Sequence, residues 1–221
     1  MRQKQVLPAV LTDSLAQAKQ MVSQASKWQT GLHVDVIDGR FADNLTLLTK
    51  DWANLGEMSQ SEVHLMVTQP MAEAKQAVAA GFGRILAQIE TLDRPLAFAQ
   101  EINNAKREAG VVLDLSTPVS ALQPDWCQWL DEVLLMSVNA GFGGQKFSPK
   151  VTEKLQALIN FRKHHKLNFA IGMDGGIKPA MVRQLIDQGV DRLVMGSGIW
   201  AADQPDRVWQ ELQQVLSEAS K

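Results

Sequence analysis

The stretch LHVDVIDGRF, Leu32 to Phe41, sets His33, Asp35 and Asp38 among bulky apolar residues. Ionisable groups are costly to bury beside such a run unless they pair with one another or hold a metal. His33 and Asp35 stand two apart, which in a strand turns both to one face and leaves Val34 and Val36 on the other. His64 in SEVHLMV and Asp174 in FAIGMD mark the ends of two further apolar runs. Two imidazoles and two carboxylates form a donor set suited to zinc, iron, manganese or cobalt. Each residue also has a plainer reading: a histidine in an apolar run as a hydrogen-bonded core group, an aspartate before glycine as a turn former in DGR and DGG. On spacing alone the two readings stand side by side.

A second chemical feature is glycine. NAGFGGQKF, DGGI and GSGI each follow an apolar run in the second half of the chain. Glycine lets backbone N–H groups close on an anion, so three such loops point to phosphate binding as well as to tight turns. Lys146 is either an added positive charge there or a solvated loop lysine.

These groups need a scaffold. Short apolar runs recur at QVLPAVL, GLHVDVI, EVHLMV, GRILAQI, GVVLDL, EVLLMSV, FAIGM and DRLVMG. Amphipathic stretches of helical spacing lie between most of them, at Ser14–Trp28, Met71–Gly81, Pro95–Ala109, Lys150–Lys163 and Ala180–Gly189. Glycines in AVAAGFG, KREAGVV and IDQGVDR close three of these before the next run. Eight apolar strands alternating with helices predict an α/β protein, a (β/α)8 TIM barrel forming one domain over residues 1–221. The unit after the second run, NLTLLTKDWANLGEMSQS, is irregular and predicts only a short helix. An open doubly wound sheet would want a glycine-rich first turn, and LPAVLTDSLA has none. In such a barrel the site lies where strands end, and the loops after strands seven and eight commonly hold phosphate.

Composition narrows the function class. With 45% hydrophobic and 21% charged residues and a net charge of −2, nothing favours nucleic acid or an anionic membrane as partner. No window is long and apolar enough to predict a signal peptide or a membrane span. The single cysteine, Cys127, excludes an intrachain disulfide and predicts a buried thiol in a cytoplasmic protein.

LPAVLTDSLA, LHVDVIDGRFADNLTL, EVHLMVTQP, VVLDLSTP, LLMSVNAGFGGQKF, GMDGGIKP and LVMGSGIW resemble, in order, the motifs of the ribulose-phosphate 3-epimerase family from about Leu7 to Trp200. The resemblance implies a barrel that interconverts ribulose 5-phosphate and xylulose 5-phosphate with one divalent metal (Zn, Fe, Mn or Co). It makes His33, Asp35, His64 and Asp174 the metal ligands, and Asp35 and Asp174 also the two acid/base groups of an enediolate mechanism. Met66 and Met136 match residues covering the reacting carbons. Gly143, Gly144, Gly175, Gly176, Gly196 and Ser197 match the phosphate-holding loops.

The chain departs from the family pattern at Ala9 (usually Ser), at Ile37 (a methionine replaced, keeping an apolar lid), in RFADN for HFVPN, at Gln88 in QIE for HxE, and at Ala140 in VNAGFGG. The metal positions are intact, and the changes fall where substrate would be touched. An isomerase acting on a pentulose 5-phosphate is therefore the first expectation, with a 3-epimerase of allulose 6-phosphate as the rival and a sugar-phosphate-binding relative of little turnover as a third. A lyase or decarboxylase on the same barrel would carry Asp-x-Lys-x-x-Asp, but position 37 is Ile. The expected assembly is a homo-oligomer; Asp38 is expected to fix its loop.

Overall fold

Alternation along eight strands decides what faces the barrel interior. The computed structural model describes residues 2–219. Its strands are Gln5–Val10 (β1), His33–Ile37 (β2), Glu62–Met66 (β3), Arg84–Gln88 (β4), Glu108–Leu113 (β5), Glu132–Met136 (β6), Ala170–Asp174 (β7) and Arg192–Met195 (β8). Each falls on one of the eight expected runs. All neighbours pair in parallel, and β8 closes on β1, so no sheet edge is left open. The (β/α)8 barrel expected from the sequence is the architecture.

The helices are Leu15–Lys27 (α1), Pro70–Ala79 (α2), Pro95–Asn104 (α3), Pro124–Cys127 (α4), Val151–His164 (α5), Val182–Asp187 (α6), Ser197–Trp200 (α7) and Pro205–Ala219 (α8). Ser14 starts α1 by accepting a hydrogen bond from the Gln17 N–H. Proline opens α2, α3 and α4 in the first turn, where its missing N–H leaves no bond unmade. After β2 only a 3-10 turn, Thr49–Trp52, forms. Two expected helices are shorter than their periodicity. The 95–109 stretch leaves the helix after Asn104, turns through Lys106 at φ 60°, and enters β5 at Glu108. The 180–189 stretch contributes a 3-10 turn before the short α6.

Outward residues such as Val34, Val36, Val63 and Leu65 join the helices in the large core. Leu86, Val112, Leu134, Met136 and Val194 form a smaller cluster inside the ring. Cys127 packs in the outer core, where burial pushes its thiol up to about 12. Trp126 is buried, while Trp129 is largely exposed. Trp28 stacks between Trp200 and Trp209, at ring separations of 5.3 and 5.0 Å, and ties the last helices to the first.

The end of the barrel where strands begin is closed by charge. Glu62 and Glu132 are fully buried. Arg84 bonds Glu62 and lies 2.5 Å from Glu108 and 3.3 Å from Glu132, and Arg192 lies 2.6 Å from Glu132. Two arginines face three carboxyls, of which only Glu108 is substantially exposed, so one buried acid is short of compensation. That acid is Glu132. Burial first, then the Glu62 charge, push it up to about 7 against the pull of both arginines. Below pH ~4.5 both the folded and the unfolded chain hold this proton; between ~4.5 and ~7 only the folded chain does. Stability therefore falls as pH rises across that window, by an amount on the order of 3 kcal/mol. Urea unfolding at pH 5 and pH 8 reads the change, and Glu132→Gln, which mimics the protonated acid, should remove Glu132's share of it while the share of Asp174, raised in the same sense, remains.

Candidate active site

Register gathers residues from three strands into one cluster. His33 pairs with Glu62 and Asp35 with His64 across β2 and β3, so all four point inward at two successive levels. Asp174 ends β7 and comes in from the far side of the ring. His33, Asp35, His64 and Asp174 each offer a ligand atom, and these atoms lie within 4.8 Å of one another. One expectation is refined: His33 opens β2 instead of closing it, and His64 sits in the middle of β3. Both imidazoles are fully buried beneath the cavity, while Asp35 and Asp174 line it.

Partners orient these side chains. His33 Nδ1 meets Glu62 Oε1 at 2.5 Å, and Glu62 is in turn held by Arg84. That fixes the ring so that Nε2 looks into the cluster, 3.4 Å from Asp35 Oδ1 and without a hydrogen-bond partner among the described residues. His64 Nδ1 lies 3.0 Å from the same Asp35 oxygen, and its Nε2 faces Gln88 at 3.1 Å.

The two carboxyls are driven in opposite directions. Burial opposes the charge on Asp35, yet His33 and His64 hold it well below the usual carboxylate range. Burial, followed by the negative charge of Asp35, raises Asp174, although it keeps a partly exposed edge in the cavity. A pair of acids so divided can hold one proton between them while one member stays ionised.

A buried ring nitrogen with no partner, backed by a carboxylate on its other nitrogen and surrounded by one more imidazole and two carboxylates, is the environment a divalent cation requires. The donor set fits such a metal. The oxygen and nitrogen mixture suits the zinc, iron, manganese and cobalt group.

Above the cluster lies a cavity of about 230 Å³. Met66 and Met136, both buried, line its apolar part, and Gly143, Gly144, Gly175, Gly176, Gly196 and Ser197, all more exposed, form its rim. At Gly176, with φ +62°, a Cβ would lie 2.3 Å from the Phe147 N atom, so glycine is required for the two loops to touch. Asp38 holds the loop after β2: its carboxylate accepts from the Arg40, Phe41 and Thr68 N–H groups at 2.7–2.9 Å. Ile37, expected as an apolar lid, is wholly buried and does not line the cavity; its main chain is fixed by Thr46. Lys146 is exposed and also outside the lining.

Sequence reasoning missed Glu62, Gln145 and Trp200. Gln145 and Trp200 line the cavity. Trp200 Nε1 also donates to the Ala9 carbonyl at 2.7 Å, which pins β1 under the pocket. Lys178, 3.4 Å from Ser197 Oγ, supplies a positive charge beside the rim that the GIKP motif alone did not reveal.

A sequence model of the ribulose-phosphate 3 epimerase family matches residues 5–200. The ribulose-phosphate 3-epimerase of Mycobacterium tuberculosis is 35% identical over 178 residues, covering 79% of this chain and 76% of that one. The enzyme of the same name from Escherichia coli K12 is 32% identical and covers 100% and 99% of the two chains. Among solved structures, KGPDC from Streptococcus mutans superposes with a TM-score of 0.71 at 14% identity, covering 98% of both chains. A 3-hexulose-6-phosphate synthase gives 0.66 at 13%, covering 97% of this chain and 99% of that one. At those identities the structures share the barrel and nothing finer.

Proposed function

The chain belongs to the ribulose-phosphate 3-epimerase family and is a sugar-phosphate 3-epimerase, an isomerase, and from that premise we propose that it interconverts D-ribulose 5-phosphate and D-xylulose 5-phosphate with one divalent metal held by His33, Asp35, His64 and Asp174. The family uses a divalent metal, and the observation that carries the assignment here is the convergence of these four ligand atoms within 4.8 Å beneath a small cavity.

Inverting a carbon beside a carbonyl requires a proton to leave one face and another to arrive at the opposite face. Asp35 on β2 and Asp174 on β7 reach the cavity from different walls, so one takes the C3 proton while the other delivers. Their opposed proton affinities support the division into one base and one acid. The cation, when bound, supplies Lewis-acid polarisation of the substrate oxygens, contributing on the order of several kcal/mol. Met66 and Met136 exclude water from the reacting carbons. The glycine rim, Ser197 and Lys178 hold the phosphate, whose binding energy positions the sugar.

A second reading, a ketohexose 6-phosphate such as allulose 6-phosphate, is motivated by Ala9, which lines the cavity where the family carries serine. The site residues, the metal, a cytoplasmic location and assembly as a homo-oligomer belong to the proposal as well. Among the described residues no helix is long and apolar enough to cross a membrane.

The test is proton exchange at C3 in D₂O. Protein supplied with Zn²⁺, Mn²⁺, Fe²⁺ or Co²⁺ should exchange ribulose 5-phosphate, and stripping with a chelator should abolish the exchange. Faster exchange of allulose 6-phosphate would select the second reading. No exchange with any ketose phosphate would leave a binding protein.

A further inference from the structure

Gln88 ends β4 fully buried, with its amide nitrogen 3.1 Å from His64 Nε2. Its amide oxygen, Oε1, is also buried and has no hydrogen-bond partner among the described residues. We propose that Gln88 is a positioning residue that fixes the tautomer of His64, turning its amide end for end when the cluster takes up a cation. The inference rests on the metal reading above.

A neutral imidazole carries one proton, so one ring nitrogen donates and the other accepts. On the cluster side, His64 Nδ1 faces Asp35 Oδ1 at 3.0 Å. With the proton on Nδ1, that nitrogen donates to Asp35, and Nε2 accepts from the Gln88 amide N–H. This arrangement is self-consistent. A cation in the cluster needs the lone pair of Nδ1, the only His64 nitrogen that faces it. The ring proton then belongs on Nε2, where it would point at another donor. A half-turn of the carboxamide replaces N–H by Oε1 without changing the shape of the side chain, and the clash of donors becomes a hydrogen bond.

The unpartnered Oε1 makes that turn inexpensive. In the orientation described the far end of the amide, Oε1, has no hydrogen-bond partner among the described residues, so the turn breaks no bond there and His64 is the one hydrogen-bond partner the amide would exchange. Leucine at this position can neither donate nor accept. Histidine, which the family pattern carries here, can do either through its own tautomers.

Two measurements test this on the full-length protein. Zn²⁺ affinity is read by competition with a chromophoric chelator, and the His64 ring proton is located by ¹⁵N NMR with and without Zn²⁺. In the native protein the proton should sit on Nδ1 without Zn²⁺ and on Nε2 with it. Gln88→Leu should weaken Zn²⁺ binding about 10- to 100-fold, and Gln88→His should recover most of the loss. Native Zn²⁺ affinity in Gln88→Leu, or a proton on Nε2 in both states of the native protein, would overturn the inference while leaving the metal reading intact. A native protein that takes up no Zn²⁺ would remove both. Should Gln88→Leu fail to fold, the NMR comparison on the native protein decides alone.

Discussion

Asp35→Asn and Asp174→Asn should each lower kcat for epimerisation by about 10²- to 10⁴-fold, the usual worth of a general acid or base. Asparagine keeps the shape of the carboxyl but cannot take or give the proton. The two variants should also fail in complementary ways. If Asp35 serves one face of C3 and Asp174 the other, each variant retains one working carboxylate. That carboxylate can still wash solvent deuterium into C3 of one epimer but cannot complete the inversion. ¹H NMR of both epimers in D₂O, run in parallel on the two variants with metal content measured, separates this from simple loss of the cation. Equal residual exchange of both epimers by both variants would mean that the two acids do not divide the faces between them.

Glu62→Leu should lower stability by about 1–3 kcal/mol, the cost of leaving buried polar partners unsatisfied. Glu62 is fully buried and serves two partners at once, the Arg84 guanidinium and Nδ1 of His33. Burial opposes its ionisation, but Arg84 and His33 hold the carboxyl down at about 2, so it is charged through the physiological range. Its removal leaves Arg84 with Glu108 and Glu132 as partners, but deprives the buried Nδ1 of His33 of its carboxylate and so unpins a ring of the cluster. Set against a typical total of about 5–15 kcal/mol, that loss is a readily measured fraction. Glu108 bonds the same arginine but is 48% exposed, and Glu108→Leu should cost about 1 kcal/mol or less. The midpoints of urea unfolding for the two variants provide the comparison.

Why Glu62 escaped notice in the linear sequence is instructive. Strands were legible because a parallel sheet covered on both faces demands nearly unbroken apolar runs, and His33, Asp35 and His64 stood out against them. The two-residue period told which way His33 and Asp35 point. Glu62, at the start of EVHLMV, has the look of a polar residue leading into a strand. Its meaning comes from register, in which it lies opposite His33, and no spacing along the chain encodes that pairing. The same holds for Gln88, which reaches His64 from the next strand, and for Lys178 beside Ser197. Helix ends were less legible than helices. The periodicity of 95–109 runs on past Asn104 because Ala105 and Ala109 fall at helical spacing from Ile102, and the left-handed turn at Lys106 leaves no mark in composition.

The state of Cys127 has a practical consequence. A thiol pushed up to about 12 in a packed core is thiolate only about one part in 10⁵ at neutral pH, and the thiolate is what maleimides attack. It is the sole cysteine of the chain. The native protein is thus already a blank background for site-selective labelling: a cysteine introduced by Phe142→Cys, on the exposed lip of the cavity, would carry a dye alone and report on what enters there.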